Sequence, residues 1–131
     1  MASLVATWSK DPSTKVGAVI VDQKRRVVSL GYNGFPKGIS DNERLDKRET
    51  KYKMVVHAEC NALLFAAKDL AGCTIYTHPF MPCPTCAGMI IQSGITRAVS
   101  LENRNHRWRG EFEMSRKMFE EAGIDLLEYE I

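Results

Sequence analysis

No stretch of this chain approaches the roughly 18 consecutive apolar residues that a bilayer-crossing helix needs. The opening Met1-Ala2-Ser3-Leu4-Val5-Ala6-Thr7-Trp8 lacks a basic n-region and a long apolar stretch, so neither a membrane span nor a signal peptide is expected. Excess charge is also missing. Eighteen Lys and Arg against 16 Asp and Glu leave a formal net charge of +2, too little to argue for a polyanion such as DNA, although a small anionic ligand needs only a local patch. No repeat and no linker divides the 131 residues, so one domain over residues 1–131 with one core is expected. Cysteine is limited to Cys60, Cys73, Cys83 and Cys86. In a chain without a leader, a CxxC pair more often binds metal or does redox chemistry than staples a secreted fold. A cytoplasmic location is the expectation.

What is present reads as alternating elements. Ser3–Ser9 forms a short helix. Val16-Gly17-Ala18-Val19-Ile20-Val21 is a β-branched apolar run expected as a buried strand, and Val27–Tyr32 is its hairpin partner. Asn33–Gly38 is turn-rich, and the charged stretch Ser40–Lys53 reads as a long surface loop, a type more often functional than accidental. Good helix formers run from His57 to Lys68, Cys73–Thr77 is a short strand, and Pro82–Gln92 is a helix with Pro84 early and Gly94 just past its end. Arg97–Leu101 is a strand, Glu111–Ala122 an amphipathic helix stopped by Gly123, and Ile124–Tyr129 the last strand. The alternation implies an α/β fold, a three-layer α/β/α sandwich around a mixed five-stranded sheet.

Two segments carry chemistry, His57-Ala58-Glu59 and Pro82-Cys83-Pro84-Thr85-Cys86. One imidazole and two thiolates are three ligands of the kind zinc takes, leaving a fourth position for water. CxxC spacing at a helix start brings both sulfurs to one point, and the free N–H groups there favour thiolates. Glu59, two residues after His57 in the same first turn, can sit beside a metal water without ligating the metal, as a proton shuttle must. HxE alone is common by chance, and CxxC alone fits a redox pair or half of a structural zinc site. HxE at one helix start, a strand, then PCxxC at the next is the specific combination, a signature of zinc-dependent base deaminases.

With these residues the chain resembles the cytidine and deoxycytidylate deaminase superfamily, and its deoxycytidylate branch in particular. The resemblance runs through Ser9–Ala18, Gly31–Gly38, His57–Ala62 and Pro82–Cys86. It implies a cytidine deaminase-like fold, a catalytic Zn2+ on His57, Cys83 and Cys86, and Glu59 as the catalytic acid–base. It implies hydrolysis of dCMP to dUMP and ammonia, activated by dCTP and inhibited by dTTP. It also implies a homo-oligomer, a hexamer by preference, and Mg2+ accompanying a triphosphate effector.

By the same resemblance Asn33 is assigned to the sugar and Asn61 to bracing the site, while an Asn-Gly turn at Asn33 is an adequate structural reading. Pro79, Phe80 and Met81, just before the cysteines, are expected to line the base pocket. Ser13, Thr14 and Lys15 are phosphate candidates, because a phosphate wants a guanidinium fork or an ammonium with hydroxyls. Arg104, Arg107 and Arg109 are further candidates, with Trp108 among them. Tyr32, Gly34 and Lys37, with Arg104 and Arg107, are the effector candidates. Small nucleotides are the expected partners, with no nucleic acid and no membrane. The competing readings are a deaminase of another substrate (cytidine or tRNA adenosine) and a non-catalytic zinc or nucleotide module.

Overall fold

A computed structural model describes residues 1–40, 46–102 and 109–130. The elements are α1 (Ala2–Ala6), β1 (Gly17–Val21), β2 (Val27–Tyr32), α2 (Arg48–Met54), α3 (Ala58–Phe65), β3 (Thr74–His78), α4 (Pro84–Gln92), β4 (Arg97–Leu101), α5 (Arg109–Ala122) and β5 (Asp125–Tyr129). The sheet order is β2-β1-β3-β4-β5. The hairpin partners β1 and β2 run antiparallel, as do β1 and β3. Then β3, β4 and β5 run parallel, each step crossing through a helix. The sheet is therefore mixed and five-stranded, as the alternation implied.

Side-chain alternation divides the sheet into two faces. Ala18, Ile20, Ile75 and Ala98 face α3, α4 and α5, and with Ala58, Ala62, Ala87, Ile90 and Phe119 they form the larger core. Val19 joins Ala2 and Val5 on the other face, so the second helical layer is α1. Helix α3 lies unusually close to the sheet. A Cβ on Gly31 would stand 2.5 Å from both the Ala58 carbonyl oxygen and the Ala62 nitrogen, so only glycine permits this approach. The Ser29 hydroxyl locks the contact by donating to the Ala62 carbonyl at 2.7 Å. This packing fixes where the start of α3 sits.

Two expectations change. The Ser40–Lys53 loop contains a helix, α2, in which Glu49 occupies the first turn and Lys51 and Lys53 the last, complementing the helix dipole. Few apolar residues mark it, because its anchor is a buried lysine, Lys51. Helix α3 also ends at Phe65 rather than Lys68. Ala66 turns extended at ψ 129°, and the chain then delivers Leu70 into the core; tertiary packing overrides the helix propensity of Ala66 and Ala67. No helix among the described residues is long and apolar enough to cross a membrane.

Candidate active site

The site forms where the N-termini of α3 and α4 meet. N-cap positions favour Ser, Thr, Asp or Asn, whose oxygens bond the free N–H groups. Here His57 caps α3 and Cys83 caps α4, and neither makes the usual side-chain capping bond. Both are turned instead to a shared point. His57 Nδ1 lies 3.5 Å from Cys83 Sγ and 3.4 Å from Cys86 Sγ, and the three donor atoms all fall within 4.8 Å of one another. A tetrahedral zinc with N and S bonds near 2.0 and 2.3 Å would space nitrogen and sulfur by about 3.5 Å. The donor set and its spacing therefore fit zinc. It is the one such cluster of His, Cys, Asp and Glu among the described residues, and the Mg2+ of the sequence reading has no counterpart cluster there.

The thiols are already biased toward a cation. The hydrogen bond from Cys86, followed by that from His57, pulls the Cys83 thiol down to about 4. Cys86 is pushed up, first by its bond to Cys83 and then by burial. Each thiol raises the cost of ionising the other, and a divalent ion held between them would displace the remaining proton. The Cys83 hydrogen bond also holds the His57 imidazole above its ordinary value. Glu59 is 5% exposed, and burial above all pushes its carboxyl up to about 7. A carboxyl poised there can both accept and release a proton near neutrality.

A pocket of about 800 Å³, including its open mouth, lies over this centre. Its walls bring together His57, Glu59 and Cys83 with Ser13, Thr14, Asn33, Phe80 and Met81. The Thr77 hydroxyl donates to the Phe80 carbonyl at 2.9 Å and holds that turn. Asn33 is nearly consumed by its own loop: Oδ1 accepts the Val16 N–H at 2.9 Å, and Nδ2 donates to the Thr14 carbonyl at 3.0 Å. The structural part of its role is thus on view, with one lone pair of Oδ1 to spare.

Other candidates fall elsewhere. Lys15 does not line the pocket; its ammonium donates to the Ser9 carbonyl at 2.9 Å. Pro79 and Asn61 are also outside the lining, Pro79 following a cis peptide and Asn61 donating from Nδ2 to the Tyr32 carbonyl at 2.8 Å, which ties α3 to the end of β2. Tyr32 packs edge-on against Trp8, Gly34 pairs with Val56, and Lys37 lies over the Phe65 ring, all beyond the pocket lining. Arg104, Arg107 and Trp108 lie outside the described residues. Arg109 begins α5 and pairs with Glu113 on its own surface.

The sequence reading did not place Asp11, Lys51, Tyr52, Val55, Glu111 and Phe112, which also line the walls. Phe112 had a signal, its place on the apolar face of α5, and its ring stands 5.7 Å from that of Phe80. Lys51 gave none, since a charged residue in a charged stretch reads as surface.

The likenesses to known proteins agree with this geometry. The model of the cytidine and deoxycytidylate deaminase zinc-binding region matches residues 1–102. An uncharacterized deaminase in the luxG 3′ region of Aliivibrio fischeri is 49% identical over 129 residues, covering 96% of this chain and 86% of that protein. Human deoxycytidylate deaminase is 39% identical over 131 residues, covering 95% and 72%. A crystal structure of the cyanophage S-TIM5 dCMP deaminase with dCMP and dUMP superposes with a TM-score of 0.76 over 99% of this chain and 90% of that one; at 22% identity it bears on the fold. The match over residues 1–102 and the identity to relatives along nearly the whole chain leave one assignment: this chain belongs to the cytidine and deoxycytidylate deaminase family.

Proposed function

We propose that this protein hydrolyses dCMP to dUMP and ammonia. The observation that carries the reading is the joint placement of a zinc-fitting His57–Cys83–Cys86 cluster and a buried carboxyl, Glu59, in the wall of one pocket. Relatives at 39% identity and above in sequence, among them human deoxycytidylate deaminase, supply the choice of substrate.

Zinc held by these three residues would supply a water acidic enough to attack at neutral pH. Glu59 takes the proton of the attacking water and delivers it to N3 of the cytosine ring as the new C–O bond forms at C4. It then carries the proton of the new C4 hydroxyl to the exocyclic nitrogen, the C4–N bond breaks as the C4 carbonyl forms, and ammonia leaves. Its raised carboxyl suits both directions of transfer. Phe80 and Phe112 flank the ring, and Asn33 offers its remaining lone pair to a sugar hydroxyl. Ser13 and Thr14, both in the pocket lining, are the phosphate contacts of this reading.

Activation by dCTP and inhibition by dTTP belong to the same proposal, with Tyr32, Gly34 and Lys37 as effector contacts outside the catalytic pocket. Homo-oligomerisation is supported by the exposed apolar side chains Leu64, Phe65 and Met89 on α3 and α4, and the preference for a hexamer comes from the family resemblance alone. A cytoplasmic location is part of the same reading, in keeping with four cysteines outside any disulfide.

The test is ammonia release from dCMP, cytidine and dCTP by protein whose zinc has been counted, with and without added dCTP and dTTP. Turnover of dCMP, raised by dCTP and suppressed by dTTP, is expected. Stoichiometric zinc with no turnover of any cytosine compound would remove the cytosine reading.

A further inference from the structure

Lys51 is the one lysine or arginine among the described residues that line the pocket. Its side chain is 8% exposed, and that of its partner Asp11 is 5% exposed. The ammonium donates to Asp11 Oδ1 at 3.1 Å and to the Ser13 hydroxyl at 2.6 Å. Asp11 Oδ1 also accepts the Ser13 N–H at 2.9 Å, the Ser13 hydroxyl at 3.0 Å and the Thr14 N–H at 3.2 Å. Asp11 Oδ2 faces Asn33 Nδ2 at 3.4 Å. A continuous set of polar contacts therefore runs from α2, through the segment before β1, to the asparagine at the end of β2. Asp11, Ser13, Thr14, Asn33 and Lys51 all line the pocket.

Lysine is rarely this buried, because desolvating an ammonium is costly. Here the carboxylate does not need it for satisfaction, since backbone and hydroxyl donors already surround Asp11. What the ammonium adds is a fixed tie between α2 and the opposite wall. The chain leaving α2 is held next by the Gly34–Val56 backbone pair, with Gly34 N–H donating at 3.1 Å and Val56 N–H at 2.8 Å, and His57 follows directly. The ammonium thus ties α2 to the asparagine wall, while the Gly34–Val56 backbone pair independently holds the stretch that delivers the zinc ligand.

We propose that Lys51 is a positioning residue for nucleotide binding, pinning α2 to Asp11 and Ser13 and thereby holding the Asn33 amide in the orientation that the ligand meets. It acts through Asp11 and not on the reacting atoms. The proposal rests on the reading of the pocket as a cytosine nucleotide site.

The experiment compares zinc-loaded wild type with Lys51→Met by steady-state kinetics on dCMP and by amide hydrogen exchange. Lys51→Gln, which keeps a donor near the same place, replaces Lys51→Met if that variant loses cooperative unfolding. The expected result is a KM raised tenfold or more with kcat changed by less than threefold, a shift on the order of one decade. Amides of Ser13, Thr14 and Val16 should exchange tenfold or more faster while those of α3 and α4 hold. Unchanged exchange at the three amides overturns the proposal, whatever the kinetics. So does faster exchange spread through α3 and α4, or a fall in kcat matching the rise in KM. A wild type that releases no ammonia from dCMP refutes the substrate reading instead, and the exchange data still decide the role of Lys51.

Discussion

His57 Nδ1 stands 3.4 Å from Cys86 Sγ, although the two residues belong to different helices and are 29 positions apart. The start of α3 and the start of α4 therefore converge on one point, and a metal there would tie the two helices together. Removing zinc with a chelator should lower the unfolding midpoint. A ligand present at about 100 times its Kd adds about 2.7 kcal/mol of stability, and scanning calorimetry at several zinc concentrations reads that dependence. Cys86→Ser should abolish it, because a hydroxyl is a poor substitute for a thiolate on zinc. A midpoint indifferent to zinc would show that the three side chains are packed together for another reason.

Glu59 shares a helical turn with His57 but lies buried beside the metal cluster and outside its donor set. Glu59→Gln keeps the shape and loses the transferable proton. Zinc stoichiometry should stay at the wild-type value, while turnover of dCMP falls by roughly 10²–10⁴. Loss of zinc together with activity would make Glu59 a ligand or a support of the ligands, not a proton carrier.

The two chemical segments were legible because their spacing is dictated by metal geometry. His57 and Glu59 at one helix start, and Cys83 and Cys86 at the next, can be read without knowing how the sheet is ordered. The strands were legible for a similar local reason: Val16–Val21 and Val27–Tyr32 are β-branched runs with a polar turn between them. What stayed hidden depends on contacts distant in sequence. Lys51 is 40 residues from Asp11, and nothing in the charged run around it marks a buried ammonium. The end of α3 escaped for the same reason, since the turn at Ala66 serves the burial of Leu70, which composition around Ala66 and Ala67 does not record.

Asp11 makes a pH prediction with a definite sign. Burial opposes its ionisation, yet the Ser13 and Thr14 N–H groups, with Lys51, outweigh that and hold its carboxyl below the ordinary 3.8. A group with a depressed folded pKa contributes stability that is present above its unfolded pKa and lost as pH falls through the folded value. Asp11→Asn removes that contribution and leaves the Lys51 ammonium buried without a counter-charge, a change that typically costs roughly 3–5 kcal/mol. The deficit relative to wild type should be largest near neutrality and shrink as pH falls below the unfolded value of 3.8 toward the lower folded one, where the wild-type carboxyl itself protonates. Urea unfolding at pH 7 and at successively lower pH measures it. A deficit that is constant across that range would mean that the bonds around Asp11 do not depend on its charge.

Lys15 separates the phosphate reading drawn from sequence from the one the structure supports. Both Lys15 and Lys51 are cations near Ser13, but the Lys15 ammonium is spent on the Ser9 carbonyl outside the pocket, whereas Lys51 lies in the pocket wall. Lys15→Met should therefore leave the KM for dCMP within about twofold, an effect of roughly 0.4 kcal/mol. Its stability cost should be that of one hydrogen bond, about 0.5–1.5 kcal/mol. A rise of tenfold or more in KM for dCMP, with deoxycytidine unaffected, would return Lys15 to the phosphate. It would also require the segment before β1 to release the Ser9 carbonyl when nucleotide binds. Because Ser9 itself donates to the Asn33 carbonyl at 2.8 Å, a lysine that only braced the loop would, once removed, loosen the asparagine wall and weaken dCMP and deoxycytidine alike. The two substrates together thus distinguish a lysine that meets the phosphate from one that only braces the loop.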